Sequence, residues 1–419
     1  MSASQLVDNF FRHEYGRLIA LLARRVGVHH LEAIEDAAQT ALMSALESWT
    51  RGGIPDNPSA WLFRVAHNHV LGELRQRSRR DQILTRQGEH RGDVVVHASD
   101  PILVGEVQDD LLRMLFVCCD EVLPLESQLA LALKVLCGFD VREIAHRLFT
   151  TEANVYKRVE RARHRLQQLS PSIMELEPAQ FVARLGSVHK VLYLMFTEGH
   201  LSSHHELPIR RELCEEAIRL ATLVAEHPAG QSPETCALLA LMHLHVARMS
   251  ARERESGELL LLEEQDRKLW DQEQIHVGLS WLAQSARGDT YSRYHAEAAI
   301  AAEHCLAPSL EQTRWDKVVE CYSLLEHVAP SPLHRLNRAI AVAEWKGPAA
   351  GLAVIEGTEP PTWLAGSYLW AAVLADLHQR CGNEPIAAHH REAAIALAPT
   401  QAVKNLLRRR LMPKSSAQQ

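Results

Sequence analysis

Apolar residues recur with a helical period along almost all of this 419-residue chain, and short apolar strands are nearly absent. Residues three and four positions apart share one face of an α-helix, so this spacing predicts amphipathic helices. Ala, Leu, Glu and Arg dominate the composition, which favours helices over sheets. The chain is also too long for one ordinary hydrophobic core. We therefore expect an all-α protein with several domains.

Charge is unevenly distributed along the chain. The net charge is −7, but residues 64–91 hold seven Arg against three acidic residues, and residues 142–165 hold seven Lys or Arg against three. Two local basic segments on a neutral background indicate DNA contact at two defined places. A uniformly basic nucleic-acid coat is excluded.

The eight cysteines include no CxxC pair and form no regular framework, which is typical of reduced thiols in the cytosol. The first residues carry charge where a signal peptide would be apolar, and no apolar stretch approaches ~18 residues without charge. We expect a cytoplasmic protein without a membrane anchor.

The clearest local pattern lies in residues 124–166. Pro124 opens a helix that Cys137 and Gly138 close. Two shorter helices are expected at 139–148 and 152–168, separated by a tight turn. Their apolar faces consist of Val141, Ile144, Ala145 and Leu148, followed by Val155, Val159, Ala162 and Leu166. This spacing predicts a helix-turn-helix.

The exposed face of the second helix carries a row of polar and basic side chains that can reach base edges and phosphates in a major groove. The row consists of Asn154, Lys157, Arg158, Arg161 and Arg165. The alternative is a helical hairpin whose basic face only meets water. Phe149 stands where such turns usually have Gly, so the turn must form without the residue best suited to positive φ.

The N-terminal segment predicts two helices within residues 4–50, a loop at 51–57 and a third helix over 60–80. The predicted apolar stripe of the second helix consists of Ile34, Ala38, Leu42 and Leu46. Ser59 is the expected N-cap of the third helix. Its predicted inward side chains are Leu62, Val65, Ala66, His69 and Leu74. From 87 to about 104, Gly, Ser and Pro interrupt any pattern and predict a linker.

Together these segments resemble the extracytoplasmic-function (ECF) subgroup of the sigma-70 family of RNA polymerase sigma factors. The resemblance covers residues ~6–170 and rests on IEDAAQTALMSALESW at 34–49, NPSAWLFRVAHNHVLGELRQRSRR at 57–80 and the helix-turn-helix. It implies a region 2 domain at 1–88, a flexible linker at 89–108 and a region 4 domain at 109–170.

The resemblance also implies roles for individual residues. Asp36, Gln39 and Met43 match the motif that docks on the clamp of the largest polymerase subunit, and the polymerase flap is a further expected partner. Binding of the single-stranded −10 promoter element falls to a set of basic and polar residues, with arginines contacting phosphates. That set is Arg51, Asn57, Arg64, His67, Asn68, Arg75 and Arg79. Trp61 fits a base-stacking platform, but its apolar neighbours favour packing.

By the same resemblance, the helix-turn-helix row from Asn154 to Arg165 binds the −35 promoter element. Residues 180–412 predict stacked helix pairs, punctuated by proline at 330, 361 and 399. These spacings bracket the 34-residue tetratricopeptide period. Small residues fit that repeat at Ala375, Ala387 and Ala394, whereas its Trp and Gly positions are unfilled. The segment resembles the tetratricopeptide-like extension of some ECF factors, which implies regulation and a protein or peptide partner.

Other chemistry was weighed. His200, His204, His205 and Glu206 are close in sequence, but they have loop composition and lack zinc spacing, so no metal site is expected. The acidic run at 263–266, ahead of Arg267 and Trp270, predicts a solvated or ion-paired helix face. No phosphate-binding loop or nucleophile motif occurs, so neither a cofactor nor an enzyme is expected. The rival hypotheses are a free-standing helix-turn-helix regulator and a helical-repeat enzyme.

Overall fold

The computed structural model describes residues 3–84, 104–168, 178–201, 209–254 and 258–412. Within these ranges the chain forms nineteen α-helices, several 3₁₀ turns and no strand, apart from an isolated bridge between Glu253 and Leu259. The all-α prediction is confirmed. The chain divides into two compact units, residues 1–191 and 192–419. None of the described helices is long and apolar enough to cross a membrane.

The first unit contains seven helices and the beginning of an eighth. They are α1 (Ala3–Val26), α2 (Leu31–Gly52), α3 (Pro58–Leu84), α4 (Val104–Cys118), α5 (Leu125–Val135), α6 (Val141–Arg147), α7 (Glu152–Gln167) and α8 (Pro178–His200). The core of the unit is made of completely or almost completely buried apolar side chains from both of the predicted sigma-like segments. Among the largest are Ile19, Leu22, Ile34, Leu62, Phe116 and Leu131.

Helices from the two predicted sigma-like segments pack directly on one another. A Cβ atom at Gly16 of α1 would lie 2.0 Å from the carbonyl oxygen of Leu136, which follows α5. Glycine is therefore what permits this approach between backbones. The described parts of the predicted domains 1–88 and 109–170 thus share one compact unit. Most of the predicted linker lies outside the described residues, and the boundaries proposed from sequence remain predictions.

Among the described residues, three ion pairs join distant parts of the first unit. Arg24 of α1 bonds Asp110 of α4 at 2.9 Å, and Asp110 is completely buried. Arg184 of α8 bonds Asp120, just after α4, and both side chains are buried. The third pair joins α2 to α7 and is described with the site below. Buried partners of this kind are destabilising when one of them is lost, because the other charge stays desolvated.

The start of α3 differs from expectation. Asn57 is the residue that caps the helix, since its Oδ1 accepts a hydrogen bond from the backbone N–H of Ala60 at 3.0 Å. Pro58 occupies the first helical position, where its missing N–H has no partner to lose. The prediction of Ser59 as the N-cap is wrong for this reason.

The buried faces of α2 and α3 are also rotated slightly from those predicted. Val70 is buried and His69 is exposed, so the inward assignment of His69 is wrong. On α2, Trp49 is 8% exposed whereas Leu46 is 37% exposed. In both helices the apolar stripe drifts around the axis because 3.6 residues make one turn, and the side chain at its edge is left outside.

The second unit continues α8 and adds eleven helices. They are α9 (Arg211–Glu226), α10 (Pro233–Val246), α11 (Gln272–Ser285), α12 (Arg293–Leu306), α13 (Trp315–Val328), α14 (Pro332–Lys346), α15 (Pro348–Ile355), α16 (Thr362–Ala365), α17 (Tyr368–Arg380), α18 (Glu384–Ala396) and α19 (Gln401–Leu411). Several neighbours pack as pairs, namely α10 with α11, α14 with α15 and α17 with α18. Between α17 and α18, Ala375, Ala387 and Ala394 are completely buried, and their small size permits close helix packing.

The acidic segment before α11 is not a helix face. Residues 262–264 and 267–269 form two 3₁₀ turns. The predicted ion pairing is present, since Glu264 bonds Arg409 at 2.8 Å. Arg267 lies over the ring of Trp270, with 4.4 Å between the guanidinium carbon and the ring centroid. The sequence pattern predicted one helix face here, but the segment forms two separate 3₁₀ turns of three residues each.

Candidate nucleic-acid interface

The helix-turn-helix forms as predicted, and side-chain caps fix the starts of both helices. Asp140 accepts a hydrogen bond from the Glu143 N–H at 2.7 Å, and the Glu143 carboxylate accepts one from the Asp140 N–H at 2.8 Å. This reciprocal capping box satisfies two otherwise unpaired donors of α6. Thr151 caps α7 by accepting from the Asn154 N–H at 3.3 Å. The two caps define the turn at residues 148–151.

Phe149 makes this turn with a left-handed backbone. Its φ is +48°, the only positive φ of a non-glycine residue in the described ranges, and its side chain is 60% exposed. The Thr150 N–H closes the turn by donating to the Ala145 carbonyl at 2.9 Å. The expectation of a turn made without glycine is confirmed. A left-handed conformation costs a residue with a Cβ about 1–2 kcal/mol, which the capped helices on either side offset.

The apolar face of α7 is buried as predicted. Val155, Ala162 and Leu166 are completely buried, and Val159 is 5% exposed. On α6, Ile144 and Ala145 are buried, while Val141 and Leu148 are half-buried. Because this face is held in the core, the opposite face of α7 has a fixed orientation toward solvent.

The predicted DNA-reading row stands on that outer face. Four of its five residues are exposed and Arg158 is half-buried, so all five can be approached. Arg165 donates to Gln168 at 2.9 Å, and Asn154 donates to Thr150 at 3.3 Å. The row therefore presents four positive charges and one amide along a rigid helix, which suits phosphate contacts and bidentate contacts to bases.

One basic residue of α7 has a structural role instead. Arg163 points to the other side of the helix and bonds Glu35 of α2 at 2.7 Å, where Glu35 is 3% exposed. Burial raises the pKa of Glu35, and the neighbouring Arg163 opposes that rise. Sequence reasoning missed this pair. The available signal was a glutamate within the apolar stripe of α2, beside Ile34 and Ala38.

The predicted polymerase-docking residues form an exposed row along α2. Asp36, Gln39 and Met43 lie on one face, and Met43 is 59% exposed. The Gln39 side chain also hydrogen-bonds the hydroxyl group of Tyr15. An exposed methionine beside polar groups is a typical composition for a protein-binding surface. Leu46, one turn further along, adds apolar area that the sequence pattern had assigned to the core.

A second basic face runs along α3. Arg64, Asn68, Arg75 and Arg79 are exposed and fall on one side of the helix, and Arg51 is exposed at the end of α2. Asn57 is exposed too, but its side chain is engaged as the helix cap. Between these residues, Ile54 projects from the loop and is 66% exposed. An apolar residue such as Ile54 is unusual in a loop of Gly, Pro and Asp. This pattern could have marked Ile54 as a candidate contact residue from sequence.

Two aromatic pairs support this face from within. His67 is half-buried and stacks on Phe63, with 5.3 Å between ring centroids. Burial, followed by the nearby Arg25, lowers the pKa of His67 and so favours the neutral ring. Trp61 is half-buried and meets Trp49 edge-on at 5.5 Å. The packing interpretation of Trp61 thus has direct support.

His200, His243 and His245 of the second unit contact neighbouring side chains. His243 hydrogen-bonds Gln274 at 2.7 Å, and His245 packs edge-on against His200 at 4.6 Å between centroids. His204, His205 and Glu206 lie outside the described residues. Among the residues that are described, no group of three or more His, Cys, Asp or Glu is arranged to hold a metal ion.

Comparisons with known proteins match the same parts of the chain. Residues 10–80 match the sigma-70 region 2 family, which covers α2 and most of α1 and α3. Residues 184–286 match a family of unknown function, DUF6596. An uncharacterized protein of Rhizobium meliloti (strain 1021) is 34% identical over 375 residues, which cover 88% of this chain and 87% of that protein. No solved structure matches the chain.

Proposed function

We propose that the chain is a sigma-70 factor that binds core RNA polymerase and directs it to promoters for initiation, since residues 10–80 match the sigma-70 region 2 family. The observation that carries the proposal is the pairing of two exposed basic helix faces, on α3 and α7, within one unit whose N-terminal part matches region 2. A free-standing regulator needs only one of these faces and no docking row on α2.

In this proposal each face has its own task. The row of Asp36, Gln39 and Met43 docks on the clamp of the largest polymerase subunit. The face of α3, with Arg51 and the adjoining loop, holds the single-stranded −10 element, where arginines contact phosphates and flipped-out bases find pockets. The row on α7 enters the major groove of the −35 element, with the flap of polymerase nearby.

We further propose that the factor is of the ECF type and works in the cytoplasm, where polymerase and promoter DNA are found. Its second unit would be a tetratricopeptide-like regulatory extension that replaces a separate inhibitor. The paired helices and the buried alanines of α17 and α18 support this proposal. Helix-pair repeats commonly offer a concave face to a protein or peptide.

Charge reversal on the docking row tests polymerase binding. Asp36→Lys should weaken the affinity for core polymerase about tenfold. The contact carboxylate is replaced by a positive charge, which would be repelled by the polymerase group that pairs with Asp36. Asp36 is exposed, so the thermal stability of the chain should not change. The measurement is a titration of labelled polymerase.

Glu32→Lys is the matched control for that experiment. Glu32 is also exposed on α2 and has the same charge, but it lies one turn earlier and outside the row. The affinity of the Glu32→Lys protein for core polymerase should equal that of the wild type. Equal affinities of all three proteins would remove the docking assignment of Asp36.

Truncation tests regulation by the second unit, and the structure fixes where to cut. A chain ending at Val191 keeps Arg184 beside Asp120 and Phe181 stacked on Phe116 at 4.0 Å. A chain ending at 177 loses both contacts, so the cut after Val191 is the one that preserves the packing of the first unit. Run-off transcription with the Val191 form should differ from that of the full chain. If both give the same promoter output, the second unit has no regulatory role.

A further inference from the structure

A group of cationic and imidazole side chains lies in the second unit, where the ends of α10 and α12 meet the 3₁₀ turn at 267–269. It includes three arginines, two from the segment after α10 and one from that turn, and three histidines. The group is Arg248, Arg252, Arg267, His200, His245 and His304, and each of these side chains is half-buried. The group is therefore recessed but still accessible to solvent.

The arginines are held in place by uncharged contacts. Arg248 and Arg267 both lie over the ring of Trp270, at 5.1 Å and 4.4 Å between guanidinium carbon and ring centroid. Arg267 also donates to the carbonyl oxygens of His304 and Ala307, at 2.7 Å and 2.6 Å. These contacts fix the orientation of the guanidinium groups without neutralising them.

Arg252 is held in the same way. It donates to the carbonyl oxygen of His200 at 2.6 Å. Trp270 is itself only 3% exposed, so the ring that carries the other two arginines cannot move freely. The three guanidinium groups are thus preorganised, and each keeps further N–H donors available.

Within the described ranges, no carboxylate forms an ion pair with any of the three guanidinium groups, although Glu253 and Glu311 interact at longer range with Arg252 and Arg267. Several nitrogen atoms of the group are buried and have no hydrogen-bond partner, namely Nε of Arg248, Nη2 of Arg267 and Nδ1 of both His245 and His304. Buried cations without counter-charges are costly, so such an arrangement is expected to bind an anion.

The pKa values show that these groups interact with one another. Burial, with Arg248 and Arg252 next, lowers the pKa of His245 to about 3. Burial, followed by Arg248 and Arg267, lowers the pKa of His304 to about 4. Burial and then Arg248 lower the pKa of Arg252 to about 10. At neutral pH both rings are therefore uncharged and can each donate one N–H, while the arginines stay cationic.

We propose that Arg248, Arg252 and Arg267, with His245 and His304, form a binding site for the phosphate group of a small molecule. Arginine presents paired N–H donors that match phosphate oxygens, and the site offers more donors than the two oxygens of a carboxylate can accept. The group is recessed but half-buried, so a diffusible small anion can approach it more readily than a polymer backbone. The site goes beyond promoter recognition and would make the second unit a sensor of a phosphorylated metabolite or of phosphate itself.

Calorimetric titration of the full-length chain tests the site, at constant ionic strength, with inorganic phosphate in one arm and glycerol phosphate in the other. Saturable binding in either arm is expected, and the stronger arm distinguishes free phosphate from a phosphomonoester. Arg248→Gln should weaken binding at least about tenfold, the effect of losing a charged hydrogen bond. The phosphate affinity of Arg248→Lys should lie between those of Arg248→Gln and the wild type, because lysine keeps the charge but lacks the paired donors.

Two controls separate this site from other basic surfaces and from a packing role. Arg408→Gln removes an exposed arginine of α19 and should bind phosphate like the wild type. Without phosphate, Arg248→Gln should unfold at the same temperature as the wild type or higher, since it removes an unpaired buried charge. Equal phosphate affinity in Arg248→Gln and wild type, or no saturable binding in either arm, would overturn the proposal.

Discussion

Replacing Lys157 and Arg161 together with glutamine should reduce promoter-directed transcription by at least about 30-fold. Each side chain stands on the outer face of α7, and a lost contact to a base or phosphate weakens binding by about 1–3 kcal/mol. Two such losses give about 2 kcal/mol or more, and 1.4 kcal/mol corresponds to about tenfold. Run-off transcription with core polymerase and a promoter template measures the effect. The difference from the wild type should shrink as salt is raised, because a variant with fewer phosphate contacts binds DNA with a shallower salt dependence.

The matched control changes the same amount of charge elsewhere. Lys404→Gln with Arg408→Gln removes two positive charges from α19 and should leave transcription unchanged. Both double variants should unfold at the wild-type temperature, since neither pair is buried. If the α7 variant transcribes as well as the α19 variant, α7 does not read the promoter. Tight promoter binding by the wild type without any transcription would instead favour the free-standing regulator.

Adding a single methyl group at Gly16 should destabilise the first unit by about 3 kcal/mol or more. The new Cβ would lie 2.0 Å from the carbonyl oxygen of Leu136, so α1 and the end of α5 would have to separate. Overpacking of a core commonly costs about 1–3 kcal/mol, and here the obstacle is backbone, which cannot rotate away. Urea unfolding of the full chain, combined with hydrogen exchange of residues 125–135, measures the loss.

Gly72→Ala provides the comparison within the same unit. Gly72 lies in α3, and a Cβ there would meet nothing within 4 Å. Alanine should therefore stabilise this helix by about 0.5–1 kcal/mol, because it restricts the unfolded chain. The two glycine variants are predicted to move stability in opposite directions. A stable Gly16→Ala protein with unchanged exchange in α5 would show that the two sigma-like segments are not held together through this contact.

The packed arrangement of the first unit leaves its predicted functional surfaces available. The bond between Glu35 and Arg163 joins the inner sides of α2 and α7, while the docking row and the DNA-reading row both face outward. Compact packing and promoter binding are thus compatible at the level of the helix faces. Glu35 adds a pH dependence: its pKa is raised, so its contribution to stability is full below pH 4.5 and declines as the pH rises through the raised value.

Local periodicity was sufficient to predict most of the helices and their exposed faces. The helix-turn-helix, the unusual turn at Phe149 and the outward row on α7 all depend on neighbours within four residues, and the sequence therefore contains their signals. Helix caps were less predictable, because Asn57 and Ser59 are only two residues apart and either side chain could serve as the N-cap of α3. Pro58 settles that competition, since it fits the first helical position.

The sequence by itself determined the helical class of this protein, the place of its helix-turn-helix and the two basic faces, because each arises from the period of one helix. Only the tertiary structure decided which of those helices meet. The approach of Gly16 to Leu136, the bond from Glu35 to Arg163 and the arginines around Trp270 join residues far apart in the chain. Such contacts depend on the packing of whole helices in three dimensions, and no local pattern of residues encodes that packing.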